Sequence, residues 1–152
     1  VSNITFHPAV REDIEYISAN LREADFEEFV MATGRHPHGL LVKRALASAG
    51  TMVAKRDGRP AAVFGCVPQG DTGAPWLMGT PDIEGFDAAR KLIETGRSLL
   101  DSWAQLYPGG LKHRAYAGNP VHIRYLVALG CQLSDPKPYG PLSGLFREFS
   151  HV

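Results

Sequence analysis

Glu23, Asp25, Glu27 and Glu28 crowd one short stretch of the segment LREADFEEF, and carboxylates at that density could hold an amine. The default expectation for such a run on a helix is a solvated face. His113 stands in LKHRAYA, where an imidazole on a strand could face a cleft as a base; a core histidine with its ring nitrogens paired is the plainer expectation. His122 falls in the first turn of a helix and reads as a surface or local-capping residue. His36 and His38, in RHPHG, are closely spaced but lack a companion cysteine or carboxylate pair, so no metal site is expected. Cys66 is a thiol in apolar surroundings to which no His–Asp partner can be assigned. Tyr125 reads as a half-buried aromatic packing against a sheet.

The elements that must position these residues follow from periodicity. Leu111, His113, Ala115 and Ala117 alternate with Lys112, Arg114 and Tyr116, which predicts a strand. Gly118 breaks it, Asn119 can cap a helix, Pro120 suits the first helical position, and Gly130 stops a helix with Val121, Ile123, Leu126, Val127 and Leu129 on its apolar side. Upstream, Ile4–Ala9 predicts a strand that Pro8 puts at an edge or end, Arg11–Ala32 a helix, and Leu40–Ala49 a second helix ended by Gly50. Thr51–Lys55 and Ala61–Val67 form a hairpin about Asp57-Gly58, Pro68–Ala74 is a loop, and Pro75–Met78 a short strand. Phe86–Leu106 is the longest helix, lined by Ala89, Leu92, Ile93, Gly96, Leu99, Leu100, Trp103 and Leu106, with Gly96 implying close packing on a neighbouring strand. Ser134–Gly144 is a Pro/Gly-rich connection and Leu145–Val152 a last strand. The sum is a single α/β domain, residues 1–152, with a central mixed sheet flanked by helices.

Sixteen basic and sixteen acidic side chains cancel without a run of either sign, which argues against general binding to nucleic acid or an anionic membrane. No apolar run approaches the ~18 residues that span a bilayer. Cys66 and Cys131 are expected as free thiols, and the opening VSNITFHPAVRED has neither a basic leader nor an apolar signal core, so a cytoplasmic setting is expected.

The βα unit Gly110–Cys131 resembles the last βα pair of the GNAT (Gcn5-related N-acetyltransferase) superfamily, with Asn119, Tyr125, Gly130 and Cys131 in the order of the family's pattern. A closer resemblance is to GNAT-like bacteriophage proteins that include internal virion protein A of short-tailed phages. It is carried by PWLMGT (Pro75–Thr80), the long amphipathic helix and NPVHIRYLVALG (Asn119–Gly130). It covers the second half of the chain well and the first half in layout. It implies a GNAT-like fold in which Arg11–Ser48 walls the acceptor side.

For an active member the resemblance implies acetyl-CoA as cofactor, held near Gly79, Thr80, Gly85 and Asn119, and Tyr125 as the acid. The family's phosphate-binding turn is Arg/Gln-x-x-Gly-x-Gly/Ala; GTPDIEGF, residues 79–86, spaces its glycines differently. Pro81 removes a donor there, and Asp82 and Glu84 add negative charge. The family's acid tyrosine lies seven residues after the Asn, where this chain has Leu126; Tyr125 is about 100° away round the helix. The reading that follows is a catalytically degenerate GNAT-like module with no cofactor, a virion-associated structural or interaction component in a virion or its host's cytoplasm. Its expected partners are other phage virion proteins or copies of itself. The alternative is an acetyl-CoA-dependent N-acetyltransferase acting on a small amine or a protein amino group.

Overall fold

The junction at Asn119 forms as its residues dictate. In the computed structural model, which describes residues 3–151, Leu111–Tyr116 is strand β5 and Pro120–Ala128 helix α5. Asn119 Oδ1 accepts the His122 N–H at 3.3 Å, and Pro120 occupies the position where a missing donor costs nothing. The other described elements are β1 (Ile4–Pro8), α1 (Arg11–Ala19), α2 (Glu23–Thr33), α3 (Leu40–Ala47), β2 (Ala49–Arg56), β3 (Arg59–Gln69), β4 (Thr72–Gly79), α4 (Phe86–Leu106), β6 (Gln132–Leu133), β7 (Lys137–Tyr139) and β8 (Gly144–His151). A single 3-10 turn, Pro81–Ile83, leads into α4.

Three segments differ from their sequence reading, each for a local reason. The helix expected over Arg11–Ala32 is two, because Asn20 ends α1 with its backbone N–H on Ile17 O and its side chain on Tyr16 O. The chain then reaches sideways, and the Arg22 N–H donates to Gly79 O at 2.8 Å. The loop expected over Pro68–Ala74 is mostly strand: β3 and β4 stay paired out to Gln69 and Thr72 about a turn at Gly70-Asp71. The connection Ser134–Gly144 contains β7, paired with β8. Of the final strand expected over Leu145–Val152, Val152 lies outside the described residues.

The strands make one sheet in the order β1-β2-β3-β4-β5-β8-β6, with β7 also on β8. Pro8 is on an edge strand, as read. The β4–β5 pair is parallel and joined at Gly73 and Leu111 alone; beyond that point the two strands diverge, leaving a fork in the middle of the sheet. One face carries α1 and α3, with Ile17, Phe29, Leu41, Val53 and Trp76 in its core. The other carries α4 and α5, with Leu92, Leu100, Trp103, Leu126 and Leu129 buried and Leu77, Leu99 and Ile123 half-buried against them. Leu106, read as part of the apolar stripe of α4, is 64% exposed at its end. Gly96 packs not on a strand but on α5: a Cβ there would collide with the Tyr125 hydroxyl and stand 2.8 Å from Leu129. Cys66 is buried and Cys131 half-buried, both free, and burial pushes each thiol up to about 11.

Candidate functional site

The fork is bridged by one side chain. His113 Nδ1 lies 3.0 Å from Pro75 O. A carbonyl only accepts, so Nδ1 carries the proton and Nε2 is left as the acceptor. Burial holds this imidazole well below its ordinary range, at about 4, with the hydrogen bond to Pro75 O only partly opposing. His113 thus meets the expectation of a paired core histidine at Nδ1, while the half-buried ring, placed where the two strands part, also borders a cavity.

Helix α2 delivers the rest. Asp25 Oδ2 accepts from Arg22 Nη2 at 2.8 Å and from the Gly79 N–H at 2.8 Å. Asn119 Nδ2 donates to Asp25 Oδ1 and to Glu28 Oε1, both at 3.0 Å. Both Glu28 oxygens lie 3.0 Å from His122 Nδ1. Arg22, Asp25, Asn119, Glu28 and His122 thus form one continuous polar chain from the end of β4 to the first turn of α5. Asp25 is 2% exposed, Glu28 5% and Asn119 1%, so the solvated acidic face expected of α2 is corrected for these two carboxylates. Glu23 and Glu27 are exposed; Glu27 receives the Tyr116 hydroxyl at 3.2 Å. Helical geometry explains the division. Asp25, Glu28 and Phe29 are spaced i, i+3 and i+4 on the side turned to the sheet, whereas Glu23 and Glu27 are turned away.

His122 is likewise not a surface residue; its side chain is 10% exposed. Burial alone would lower its pKa, but the charge and hydrogen bonds of Glu28 outweigh this and raise it. With Nδ1 committed to Glu28, the second ring nitrogen is turned away from that bond. His122 lines an apolar trough of about 470 Å³ between α4 and α5, together with Leu77, Ile93, Val121 and Tyr125. Glu28 and His113 line a different cavity, about 300 Å³, on the α2–α3 side with Arg44, Lys112 and Arg114. The Glu28–His122 pair therefore joins the two sides of the sheet through the fork, the polar arrangement expected of a proton-handling centre.

The turn at the mouth of the trough behaves differently. The Gly79 N–H is taken by Asp25, the Thr80 N–H by Ala61 O, the Asp82 N–H by Thr80 Oγ1, the Ile83 N–H by Thr80 O and the Glu84 N–H by Pro81 O. Pro81 has no donor. Outside, Arg56 donates to the carbonyls of Asp82 and Glu84, and Arg59 faces the Asp82 carboxylate at 3.3 Å. A Cβ at Gly79 would stand 2.9 Å from Ile83 Cγ2 and 3.2 Å from Ala61 O, so the glycine serves close packing within the turn. A diphosphate needs several convergent N–H groups. Residues 79–84 have already spent theirs, and the space beside them is bordered by two carboxylates, Asp25 and Glu84, and two cations, Arg22 and Arg124.

Gly79, Thr80 and Gly85 therefore lie where the sequence reading put them, at the approach to a helix N-terminus, with the Gly79 and Thr80 N–H groups already bonded within the protein and Gly85 standing as the N-cap of α4. Asn119 belongs to the polar chain of the fork. Tyr125 packs on α4 rather than on the sheet: its hydroxyl donates to Leu92 O at 2.9 Å, and burial raises its pKa. His36 and His38 are linked by a His38 N–H bond to His36 Nδ1 at 3.1 Å, and among the described residues no three His, Cys, Asp or Glu side chains are grouped to hold a metal. No described helix is long and apolar enough to cross a membrane.

No family model and no curated protein sequence matches the chain. Solved structures do. A putative acetyltransferase of Salmonella typhimurium, yncA, determined with acetyl-CoA, superposes with a TM-score of 0.69 at 17% identity, covering 98% of this chain and 92% of that one. An N-acetyltransferase from Staphylococcus aureus Mu50 gives 0.71 at 13% identity over 99% and 98%. A GNAT-family acetyltransferase from Streptococcus pneumoniae gives 0.65 at 10% identity over 97% of each chain. The fold is that of the GNAT acyl-CoA N-acyltransferases, a central mixed sheet flanked by helices. Tested against coenzyme A, the apolar trough suits an extended arm, while the turn at residues 79–84 does not suit the diphosphate.

Proposed function

We propose that this chain is an N-acyltransferase in which the buried Glu28–His122 pair handles the protons of transfer to an amine. The observation that carries this reading is the placement of the pair, 3.0 Å apart, with Glu28 on the α2–α3 cavity and His122 on the α4–α5 trough. An amine in the first cavity must lose a proton as it attacks; of the two carboxylates that line it, Glu28 and Glu148, Glu28 is the one bonded to His122. A group leaving from the trough must gain one, and the imidazolium form of His122, which Glu28 favours, has its second N–H to give. One proton enters the pair and one leaves, and exchange with solvent restores it. Tyr125, tied to Leu92 O and packed on Gly96, is not needed as the acid. The similar acetyltransferases support the class of reaction; no step is assigned to the diphosphate of coenzyme A, which the closed turn does not accommodate.

A second reading has its own observation. The filled donors of residues 79–84 and the committed Tyr125 hydroxyl suit a non-catalytic module, working among virion proteins as the phage resemblance implies. The deciding experiment measures acetyl transfer to a panel of small amines from S-acetylpantetheine and from acetyl-CoA. Transfer that falls roughly 100-fold in Glu28→Gln and in His122→Gln, both still folded, supports the first reading. Rates at the uncatalysed background with both donors leave the second.

A further inference from the structure

Among the described residues, Arg44 is a cation without an anion. It rises from α3 with its guanidinium 5.1 Å from the centre of the Phe29 ring and 5.9 Å from that of Trp76, stacked on two aromatic faces in the core of the α1–α3 side. Among the described residues no carboxylate is within ion-pair distance of it. Glu28, the nearest carboxylate to influence it, is committed to His122. The guanidinium opens on the 300 Å³ cavity. From β5, Lys112 and Arg114 line the same space, and Arg114 leans on the Tyr139 ring at 4.3 Å with Glu148 at 4.0 Å. A half-buried guanidinium without a carboxylate partner has given up part of its hydration, which an arriving carboxylate offsets through a two-pronged hydrogen bond.

We infer that Arg44 recognises a carboxylate on the acceptor, so that the substrate class is an amine of amino-acid size that also bears an acidic group. Arg44 fixes the carboxylate end, and Glu28, lining the same cavity, faces the amine end. The Phe29 and Trp76 rings flank the guanidinium and limit its motion, which favours a bidentate pairing. The inference rests on the transferase reading for the word acceptor, but the anion site itself does not depend on turnover.

The test is a titration that needs no reaction. N-acetyl-L-alanine and N-acetyl-L-alaninamide differ in the carboxylate alone, and the Trp76 indole N–H, donated to Ser48 Oγ at 2.8 Å, is a reporter beside Arg44. Its nuclear magnetic resonance signal, distinguished from that of Trp103 with Trp103→Phe, should shift saturably with the acid and bind the amide at least about tenfold more weakly, the worth of a charge-assisted pair. Arg44→Met should lose the preference. The wild-type comparison stands even if that variant does not fold. Equal affinity for acid and amide, or no saturable shift with the acid, overturns the inference. If the acid binds selectively while no thioester is ever turned over, Arg44 remains an anion site and the transferase reading fails. If turnover proceeds with neutral amines and the acid shows no preference, the Arg44 inference fails alone.

Discussion

The fork and the turn at residues 79–84 lie next to each other at the end of β4, yet they have spent their polar groups in opposite ways. In the turn, the backbone donors of residues 79–84 are consumed by Thr80, Pro81, Ala61 and Asp25. In the fork, side chains from α2, β5 and α5 satisfy each other across long sequence distances while Glu28, His113 and His122 still border open cavities. The two regions place different demands on the sequence. The turn needs a particular run of small residues, whereas the frame needs only apolar periodicity and a cap.

If Asp25 is what closes the turn onto the fork, its removal should have the largest effect. Asp25→Ala leaves Arg22 and the Gly79 N–H without their buried partner, and should cost ~3–5 kcal/mol in a denaturant melt, as breaking a buried pair does. Next is the pH response of the fork. The pKa of His113 is depressed in the fold, so the unfolded chain binds the extra proton; its contribution is whole above about 6.5 and is lost as pH falls toward about 4. The loss should reach ~3 kcal/mol and be largely absent in His113→Gln. His122 acts with the opposite sign: its pKa is raised, so its contribution is present below about 6.5 and fades as pH rises through the folded value. Gly96→Val forces the Tyr125 hydroxyl and Leu129 away from α4, and should cost ~1–3 kcal/mol while loosening the Glu28–His122 contact. Smallest is Thr80→Val. It removes the acceptor of the Asp82 N–H, should cost ~1 kcal/mol, and should leave the titration of His122 unchanged.

Much of the frame was legible in the sequence. The strand–Asn-Pro–helix unit and the bounds of α4 follow from periodicity and capping. The splitting of Arg11–Ala32 was not, because it is set by a tertiary bond from the Arg22 N–H to Gly79 O. Among site residues, the missing donor of Pro81 and the unusual spacing of the glycines in residues 79–86 could be read directly. The Glu28–His122 pair could not, since its partners are far apart in sequence and a single acidic run hides two faces. A signal was present all the same. Asp25, Glu28 and Phe29 share the inward side of a helix, and two carboxylates on an otherwise apolar side demand buried partners.

The central claim is that the trough accepts an extended thioester arm while the turn offers nothing to a diphosphate. Calorimetric titration of the same preparation with pantetheine and with coenzyme A tests it most directly. The account predicts saturable binding of both with affinities within a few-fold of each other, since the nucleotide diphosphate adds no contact. Coenzyme A binding roughly 100-fold more tightly than pantetheine and abolished by Gly79→Leu, or no binding of pantetheine at all, would contradict it.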